Sequence, residues 1–171
     1  MQDKFIQAYM DVAERFAQLS RARRLQVGAI VVRDNRIISI GYNGTPSGWD
    51  NNCENIDLMD ADLAASMSPQ QILERWPLEG RFWINHSEIE TRYRLVTRPE
   101  VMHAERNAID KLAASNDSSL GADMFITHAP CVECSKSIYA AGIGRVFYRH
   151  HYRSADGIDF LHRCGITVTQ I

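Results

Sequence analysis

The sequence has few of the features that mark secreted, membrane-spanning or nucleic-acid-binding proteins. Its 171 residues include only 4 cysteines, too few for the disulfide scaffold of a small secreted domain. It has no apolar run of about 18 residues, and no basic segment followed by the apolar stretch of a secretion signal. Since the 19 Lys and Arg residues are outnumbered by 21 Asp and Glu residues, a broad basic surface is not expected. We therefore expect a cytoplasmic protein that binds neither membrane nor nucleic acid and acts on a small molecule.

The length and composition fit one globular domain spanning residues 1–171, with 45% hydrophobic residues. Hydrophobic periodicity is weak at about 54–98, which we interpret as an insertion into that domain. A chain of this length buries about 70% of the surface of its unfolded state, so it needs no metal ion for stability. A metal site in it would therefore indicate chemistry.

Outside the insertion, helix and strand patterns alternate and predict a three-layer α/β domain. Asp3 is placed to cap the first helix, and Asp34 with Asn35 forms the turn of an opening hairpin. In the insertion we expect only a short helix at 70–76, ended by residues 77–80. The other predicted helices are 4–19, 101–114, 131–141 and 158–164, and the predicted strands are 27–32, 37–42, 124–127, 146–148 and 166–168.

Three side chains with metal-binding atoms stand at predicted helix starts. Cys131 and Cys134 lie one helical turn apart, so both sulfurs face the same side, and His103 begins another helix. The positive end of a helix dipole favours the thiolate form that zinc binds. Two thiolates and an imidazole bind zinc at about 2.3 Å and about 2.0 Å and leave a fourth position for water. The pattern predicts one catalytic zinc ion.

Glu105 follows His103 by two residues, and we expect its carboxylate to lie beside the zinc without binding it. A carboxylate in that place can transfer protons. His-x-Glu followed by Pro-Cys-x-x-Cys is the signature of zinc-dependent nucleobase deaminases. We expect water to add to C4 of a cytosine ring, with Glu105 protonating N3 and then the departing amino group, which leaves as ammonia.

The residues alone leave three other interpretations open. A Cys-x-x-Cys pair is also typical of thiol oxidoreductases, although these do not account for the proline before Cys131 or for the distant His-x-Glu. A closed structural zinc site would need a fourth ligand, for which His128 is the nearby side chain. A zinc-containing module that only binds nucleotides would not need an ionisable Glu105.

With these motifs the sequence resembles the cytidine/deoxycytidylate deaminase family, and most of all its phage-type dCMP deaminases. The similarity covers residues 27–32, 36–48, 103–109 and 127–152, and the segment Gly41-Tyr42-Asn43-Gly44-Thr45-Pro46 is typical of dCMP deaminases. The resemblance implies a cytidine deaminase-like α/β/α fold with a five-stranded mixed sheet. It also implies deamination of dCMP to dUMP, which supplies dTMP synthesis, in the host cytoplasm if the protein is phage-encoded.

The resemblance further implies a set of nucleotide contacts. Asn43 would contact the sugar hydroxyl, and Tyr152 would contact the substrate. The pocket around the base would be lined by Ala104, Thr127, His128 and Ala129. An allosteric dCTP or dTTP, with Mg²⁺, would bind near Gly41, Tyr42 and Gly44, since glycines let the backbone approach phosphates. The residues placed to meet the substrate phosphate are Arg23, Arg24 and Arg153.

Some phage relatives hold a second, structural zinc, and this chain departs from their pattern. Ala22 and Arg23 stand where those relatives have a cysteine, which leaves Cys53 and His86 as donors. Two donors seldom make a closed site. The family usually assembles as a homohexamer. Other substrates considered for the same chemistry are dCTP, a 5-substituted dCMP, a free nucleoside, and adenine in RNA, the last disfavoured by the net charge of −2.

Overall fold

The structure, a computed structural model, describes residues 2–171 and divides them into two compact units. The first unit comprises the chain up to Asn52 together with Glu100–Ile171, and the second is Cys53–Pro99. The second unit coincides with the predicted insertion to within a residue at each end. None of the described helices has both the length and the apolar character needed to cross a membrane.

The elements follow the predicted order outside residues 53–99. The helices are α1 (Asp3–Ala17), α2 (Ala61–Ala64), α3 (Pro69–Arg75), α4 (Ala104–Ala113), α5 (Val132–Ala140) and α6 (Asp156–Arg163). The strands are β1 (Gly28–Arg33), β2 (Arg36–Tyr42), β3 (Glu54–Leu58), β4 (Leu78–Ile84), β5 (Ser87–Thr97), β6 (Asp123–His128), β7 (Arg145–His150) and β8 (Thr167–Gln170). Asp3 is the first residue of α1, and Gln2 is its N-cap, so the predicted capping role of Asp3 is wrong. Because Asp3 lies in the first helical turn, its carboxylate still interacts favourably with the positive end of the helix dipole.

The first unit contains the expected five-stranded mixed sheet, in the order β2-β1-β6-β7-β8. The hairpin β1–β2 and the pair β1–β6 are antiparallel, whereas β6, β7 and β8 run parallel. Asp34 and Asn35 both have positive φ, of 51° and 58°, as the predicted two-residue hairpin turn requires. The α/β fold with a mixed sheet is therefore confirmed.

Alternate side chains of the central strands face two separate cores. Phe125 of β6 packs with Met10 of α1 on one face of the sheet. Met124 and Ile126 pack on the other face with residues of α4, α5 and α6, among them Ala108, Ile138 and Leu161. This arrangement is the predicted three-layer architecture, and it directs the starts of α4 and α5 towards the same end of the sheet.

The second unit is a three-stranded antiparallel sheet, in the order β3-β5-β4, with the short helices α2 and α3. The helix at 70–76 was predicted to within a residue, but the strands were not. Leu78 begins β4 inside the segment that was expected only to end the helix. Ion pairs such as Arg94–Asp57, at 2.6 Å, join neighbouring strands. These contacts connect residues far apart in sequence, so local periodicity does not reveal them.

Gly28 allows β1 to lie directly against α1. A Cβ atom there would lie 2.1 Å from the carbonyl oxygen of Ala13 and 2.6 Å from the nitrogen of Ala17. We expect Gly28→Ala to push the helix off the sheet and to lower the free energy of unfolding by about 1–3 kcal/mol or more, as measured by chemical denaturation. Gly44→Ala is the control, because its Cβ would meet nothing within 4 Å. Equal losses in both variants would contradict this account.

Candidate metal centre

His103 and Cys131 are the N-cap residues of α4 and α5. Both have extended backbone, with φ/ψ of −70°/153° and −72°/167°. An N-cap side chain normally accepts a hydrogen bond from the first helical turn, but neither of these does so. Their donor atoms point towards each other instead. Strand β6 ends at His128, so Ala129 and Pro130 are the short connection that brings Cys131 to this position.

The three predicted metal ligands lie together. Nδ1 of His103 is 3.7 Å from Sγ of Cys131 and 3.3 Å from Sγ of Cys134, and all three donor atoms lie within 4.8 Å of one another. Tetrahedral zinc, with bonds of about 2.3 Å to sulfur and about 2.0 Å to nitrogen, would place sulfur and nitrogen about 3.5 Å apart. The residues therefore fit a zinc ion without rearrangement.

The charge state of the two thiols also suits a cation. Hydrogen bonding from Cys134, with a further contribution from His103, lowers the pKa of Cys131 to about 3. The same contact, together with burial and the charge of Glu105, raises the pKa of Cys134. The hydrogen bond to Cys131 raises the pKa of His103 against the effect of burial. Two sulfurs this close repel each other when both are ionised, and a divalent cation between them removes that repulsion.

Glu105 stands beside this cluster but is not one of its three donors. Glu105 is only 4% exposed, and the charges of His103 and Cys131 both contribute to the shift of its pKa. Burial raises the pKa of Glu105, while its own backbone N–H and the charge of His103 act in the opposite direction. A carboxyl group whose pKa is shifted towards neutrality by burial is suited to both accept and release a proton.

The cluster is open on one side. His103 is exposed and Cys131 half-buried, whereas Cys134 and Glu105 are buried. Tyr152 follows the end of β7, and burial, together with the negative charges of Cys131, Glu105 and Cys134, raises the pKa of its hydroxyl. His103 and Cys131 are therefore the members of the cluster that solvent reaches most readily.

Comparison with known proteins gives the same assignment. Residues 3–150 match the model of the cytidine and deoxycytidylate deaminase zinc-binding region. The chain belongs to this zinc-dependent deaminase family. It is 32% identical over 171 residues to the deoxycytidylate deaminase of Enterobacteria phage T2, covering 95% of this chain and 89% of the phage protein.

Two further relatives of this deaminase cover nearly the whole chain. The ComE operon protein 2 of Bacillus subtilis is 30% identical, over 96% of this chain and 70% of the bacterial protein. The crystal structure of dCMP deaminase from the cyanophage S-TIM5, in complex with dCMP and dUMP, matches with a TM-score of 0.74 and 37% identity, over 100% of this chain and 99% of that chain.

The side chain of Asn43 of this deaminase forms hydrogen bonds with the backbone of the segment that leads into β1. Its Oδ1 accepts a hydrogen bond from the backbone nitrogen of Val27, and its Nδ2 donates to the carbonyl oxygen of Leu25, both at 2.8 Å. These bonds orient the amide group, and one further lone pair and one further N–H are left for a ligand. The predicted contact with the sugar stays a prediction.

The rest of the predicted allosteric segment packs on α4. A Cβ atom at Gly41 would lie 2.1 Å from the carbonyl oxygen of Ala104, so the packing of α4 requires a glycine here, and the predicted nucleotide role of Gly41 stays a prediction. The carbonyl of Tyr42 accepts a hydrogen bond from Asn107 at 2.9 Å. Gly44 forms an antiparallel bridge with Met102. The nucleotide role of Tyr42 and Gly44 stays a prediction.

Asn107 was missed by sequence reasoning, although it lies on α4 one turn after His103. By bonding to the carbonyl of Tyr42 it ties the glycine-rich segment to the helix that carries His103 and Glu105. A polar residue on the side of an amphipathic helix that faces the sheet is the signal that could have found it.

The predicted pocket lining lies at the end of β6. Thr127 is buried, and its Oγ1 accepts a hydrogen bond from the backbone nitrogen of Gly28 at 3.1 Å. His128 is half-buried, and the backbone nitrogen of buried Ala129 donates to the carbonyl of His150 at 2.8 Å. Ala104 is fully buried in the first turn of α4. Contacts of these residues with a base stay predictions.

The three arginines predicted to meet a phosphate are all exposed. Arg23 and Arg24 lie between α1 and β1. The guanidinium of Arg153 lies 5.8 Å from the centre of the neighbouring Tyr152 ring. Their role with a phosphate stays a prediction.

Cys53 and His86 lie at opposite ends of the second unit, too far apart to bind one zinc ion. Cys53 directly precedes β3, whose Glu54 pairs with Thr97 at one end of β5, whereas His86 lies in the turn before Ser87 at the other end. Strand β5 has 11 residues, so these ends are about 35 Å apart. Among residues 2–171, no other group of three such donors lies close enough to hold a metal. Cys53 and His86 therefore do not form a second zinc site, as expected from two donors that seldom make a closed site, and Cys53 is buried.

Proposed function

We propose that this chain is a zinc-dependent deoxycytidylate deaminase that converts dCMP and water into dUMP and ammonia. The observation that carries the proposal is the cluster of one imidazole and two thiols at zinc-binding spacing with the buried Glu105 beside it. The deoxycytidylate deaminase of phage T2 and the dCMP deaminase of cyanophage S-TIM5 support the choice of substrate.

His103, Cys131 and Cys134 would hold the zinc ion. When bound, zinc supplies a water molecule of lowered pKa at its open position. Glu105 accepts a proton from that water and delivers it to N3 of the cytosine ring. The oxygen of that water bonds to C4. Glu105 then takes the remaining proton from the hydroxyl group on C4 and delivers it to the amino group, so that the carbon–nitrogen bond breaks, ammonia leaves and C4 becomes a carbonyl carbon. The carboxyl group ends the cycle in its starting state.

The contacts around the nucleotide are part of the same proposal. Asn43 binds the sugar, Tyr152 covers the open side, and Ala104 with the segment 127–129 surrounds the base. Their support is their position. Ala104 lies between His103 and Glu105 in the chain. The pKa of Tyr152 is raised by burial and by the negative charges of the cluster. Strand β6 ends three residues before Cys131. Residues 53–99 are proposed to be an insertion in a single deaminase domain.

Regulation and assembly follow the family resemblance. We propose that dCTP or dTTP, bound with Mg²⁺ near Gly41, Tyr42 and Gly44, changes the rate, and that the enzyme works in the cytoplasm as a homohexamer or another homo-oligomer. Light scattering of the purified protein measures the assembly. A monomer at assay concentration would contradict the proposed homo-oligomer.

The substrate is tested by measuring ammonia release from dCMP, dCTP, CMP, deoxycytidine and 5-methyl-dCMP, each with and without dCTP or dTTP. We expect the highest kcat/KM for dCMP, because each hydrogen bond to a phosphate or to the sugar that a competitor cannot form costs about tenfold or more. Turnover only of the free nucleoside would contradict the proposal. A higher kcat/KM for dCTP or 5-methyl-dCMP would replace dCMP with that nucleotide.

A further inference from the structure

Gly157 is the point at which α6 contacts the connection that carries a metal ligand. The residue is buried in the first turn of α6, and its backbone is helical, so its conformation does not itself require glycine. A Cβ atom there would lie 2.0 Å from the carbonyl oxygen of Pro130 and 2.9 Å from the carbonyl carbon of Cys131. No side chain fits at such distances. Glycine is therefore required because α6 lies directly on the backbone of this connection.

The connection between β6 and α5 is held from two sides. On the side of the sheet, the backbone nitrogen of Ala129 donates to the carbonyl of His150 at 2.8 Å. On the side of the helices, Gly157 contacts the peptide group that joins the fully buried Pro130 to Cys131. The side chain of Cys131 forms no capping hydrogen bond with α5, so its backbone determines where Sγ lies. The contact with α6 therefore sets the position of a metal ligand.

The same glycine also faces the helix that carries the second thiol. A Cβ atom at Gly157 would lie 2.8 Å from Oγ of Ser135, a fully buried residue that directly follows Cys134 in α5. A group added at this position would press on the first turn of α5 as well as on the connection before it. Both cysteine ligands are therefore within one residue of an atom that α6 contacts.

The position of α6 is fixed by contacts that do not involve the metal ligands. Leu161 lies one turn after Gly157 on the same face of the helix and is fully buried in the core that contains Ile138 of α5. The ring of Phe160 packs edge-on against Tyr139, with ring centres 6.4 Å apart. The core thus holds α6 in place, and α6 in turn supports the connection between β6 and α5.

We propose that Gly157 is a positioning residue for the zinc site, which allows α6 to hold the Pro130–Cys131 peptide and the first turn of α5 where the thiols can bind zinc. This inference rests on the part of the proposed function that assigns zinc to His103, Cys131 and Cys134. Groups that orient metal ligands without binding the metal typically contribute about 10–100-fold to metal affinity. Gly157 supplies this orientation through the backbone, by its lack of a side chain.

The test is Gly157→Ala, with zinc affinity measured by competition with a chromophoric chelator. The added methyl group must displace the Pro130–Cys131 peptide, so we expect zinc to bind about tenfold or more weakly than in the wild-type protein. In protein loaded with Co²⁺ in place of zinc, the absorption bands of the cobalt ion should also shift, because they depend on the geometry of its ligands. Both readouts report on the metal site independently of turnover.

The matched control is Gly28→Ala. Its Cβ atom would approach a carbonyl oxygen just as closely, at 2.1 Å, but that oxygen belongs to Ala13 of α1, on the opposite face of the sheet from α6. Gly28→Ala should therefore lower the stability of the fold while zinc affinity stays within about twofold of wild type. The same zinc affinity in the two alanine variants would reduce Gly157 to a packing role and overturn the inference.

A second measurement, on the wild-type protein, decides the outcome if circular dichroism shows that Gly157→Ala does not fold. Coupling between two sites is reciprocal, so if α6 holds Cys131 in place for zinc, bound zinc must also hold α6. Hydrogen–deuterium exchange, read by mass spectrometry, should therefore slow in peptides from α6 when zinc is returned to chelator-treated protein. Exchange in peptides from α1 should not change. Unchanged exchange in α6 would overturn the inference.

Failure of this inference and failure of the proposed function give different results. A wild-type protein that binds no zinc, or that does not deaminate dCMP, contradicts the proposed function. A wild-type protein that does both, together with a folded Gly157→Ala variant of unchanged zinc affinity, contradicts only the positioning role of Gly157.

Discussion

Glu105→Gln should lower kcat for dCMP by a factor of about 10² or more while the zinc content stays the same. The amide has the shape of the carboxyl group but cannot take a proton from water or deliver one to N3. It also keeps the buried position, so the metal cluster is not disturbed. Ammonia release measures the rate, and elemental analysis of the purified variant measures zinc.

A matched control is Glu133→Gln on α5, whose exposed carboxylate forms an ion pair with Lys136 at 2.6 Å. It removes a negative charge two residues from Cys131 without touching the buried site, so turnover should stay within about twofold of wild type. Loss of zinc from Glu105→Gln would show that Glu105 is a ligand. Undiminished turnover would show that another group transfers the proton.

Cys134→Ala should abolish tight zinc binding and reduce dCMP turnover to the background rate. Cys134 is the buried member of the ligand set, and two remaining donors bind zinc far more weakly than three. The chain should nevertheless stay folded, because its two cores are built from side chains that do not include the metal ligands. Zinc content, circular dichroism and ammonia release are the three measurements.

The control for this variant is Cys164→Ala, a half-buried cysteine at the end of α6, which should keep its zinc and its activity. A chelator that strips zinc from the wild-type protein should reproduce the effect of Cys134→Ala, and added zinc should restore only the wild-type enzyme. Full zinc content and turnover in Cys134→Ala would refute the ligand assignment.

The sequence predicted which three metal-binding side chains lie together, because their arrangement depends on short local patterns. The Cys-x-x-Cys spacing determines that two sulfurs lie on one side of a helix, and the His-x-Glu spacing places a carboxyl group in the turn that follows the imidazole. The structure puts His103 and Cys131 at helix N-caps and places the buried Glu105 in the first turn of the helix that His103 caps, as these patterns indicate.

Other predictions depended on which distant segments meet, and these were less accurate. Strands β3, β4 and β5 were missed, because their hydrophobic periodicity is weak. Pairing between the strands and ion pairs across them stabilise this sheet instead. Gly41 was interpreted only from the freedom of its backbone, because the sequence did not show that α4 approaches it too closely for a side chain. Cys53 and His86 were considered together because the sequence does not show that β5 separates them.

The sequence by itself determined the fold class, the donor set and the kind of reaction, because periodicity and residue spacing act over one or two helical turns. Only the tertiary structure decided that Asn43 and Asn107 hold the glycine-rich segment, that Gly28 and Gly41 admit α1 and α4, and that α6 lies on the connection to a metal ligand. Each of these features is a contact between residues far apart in the chain. Such contacts are set by packing of the whole sheet and its helices, which no local pattern specifies.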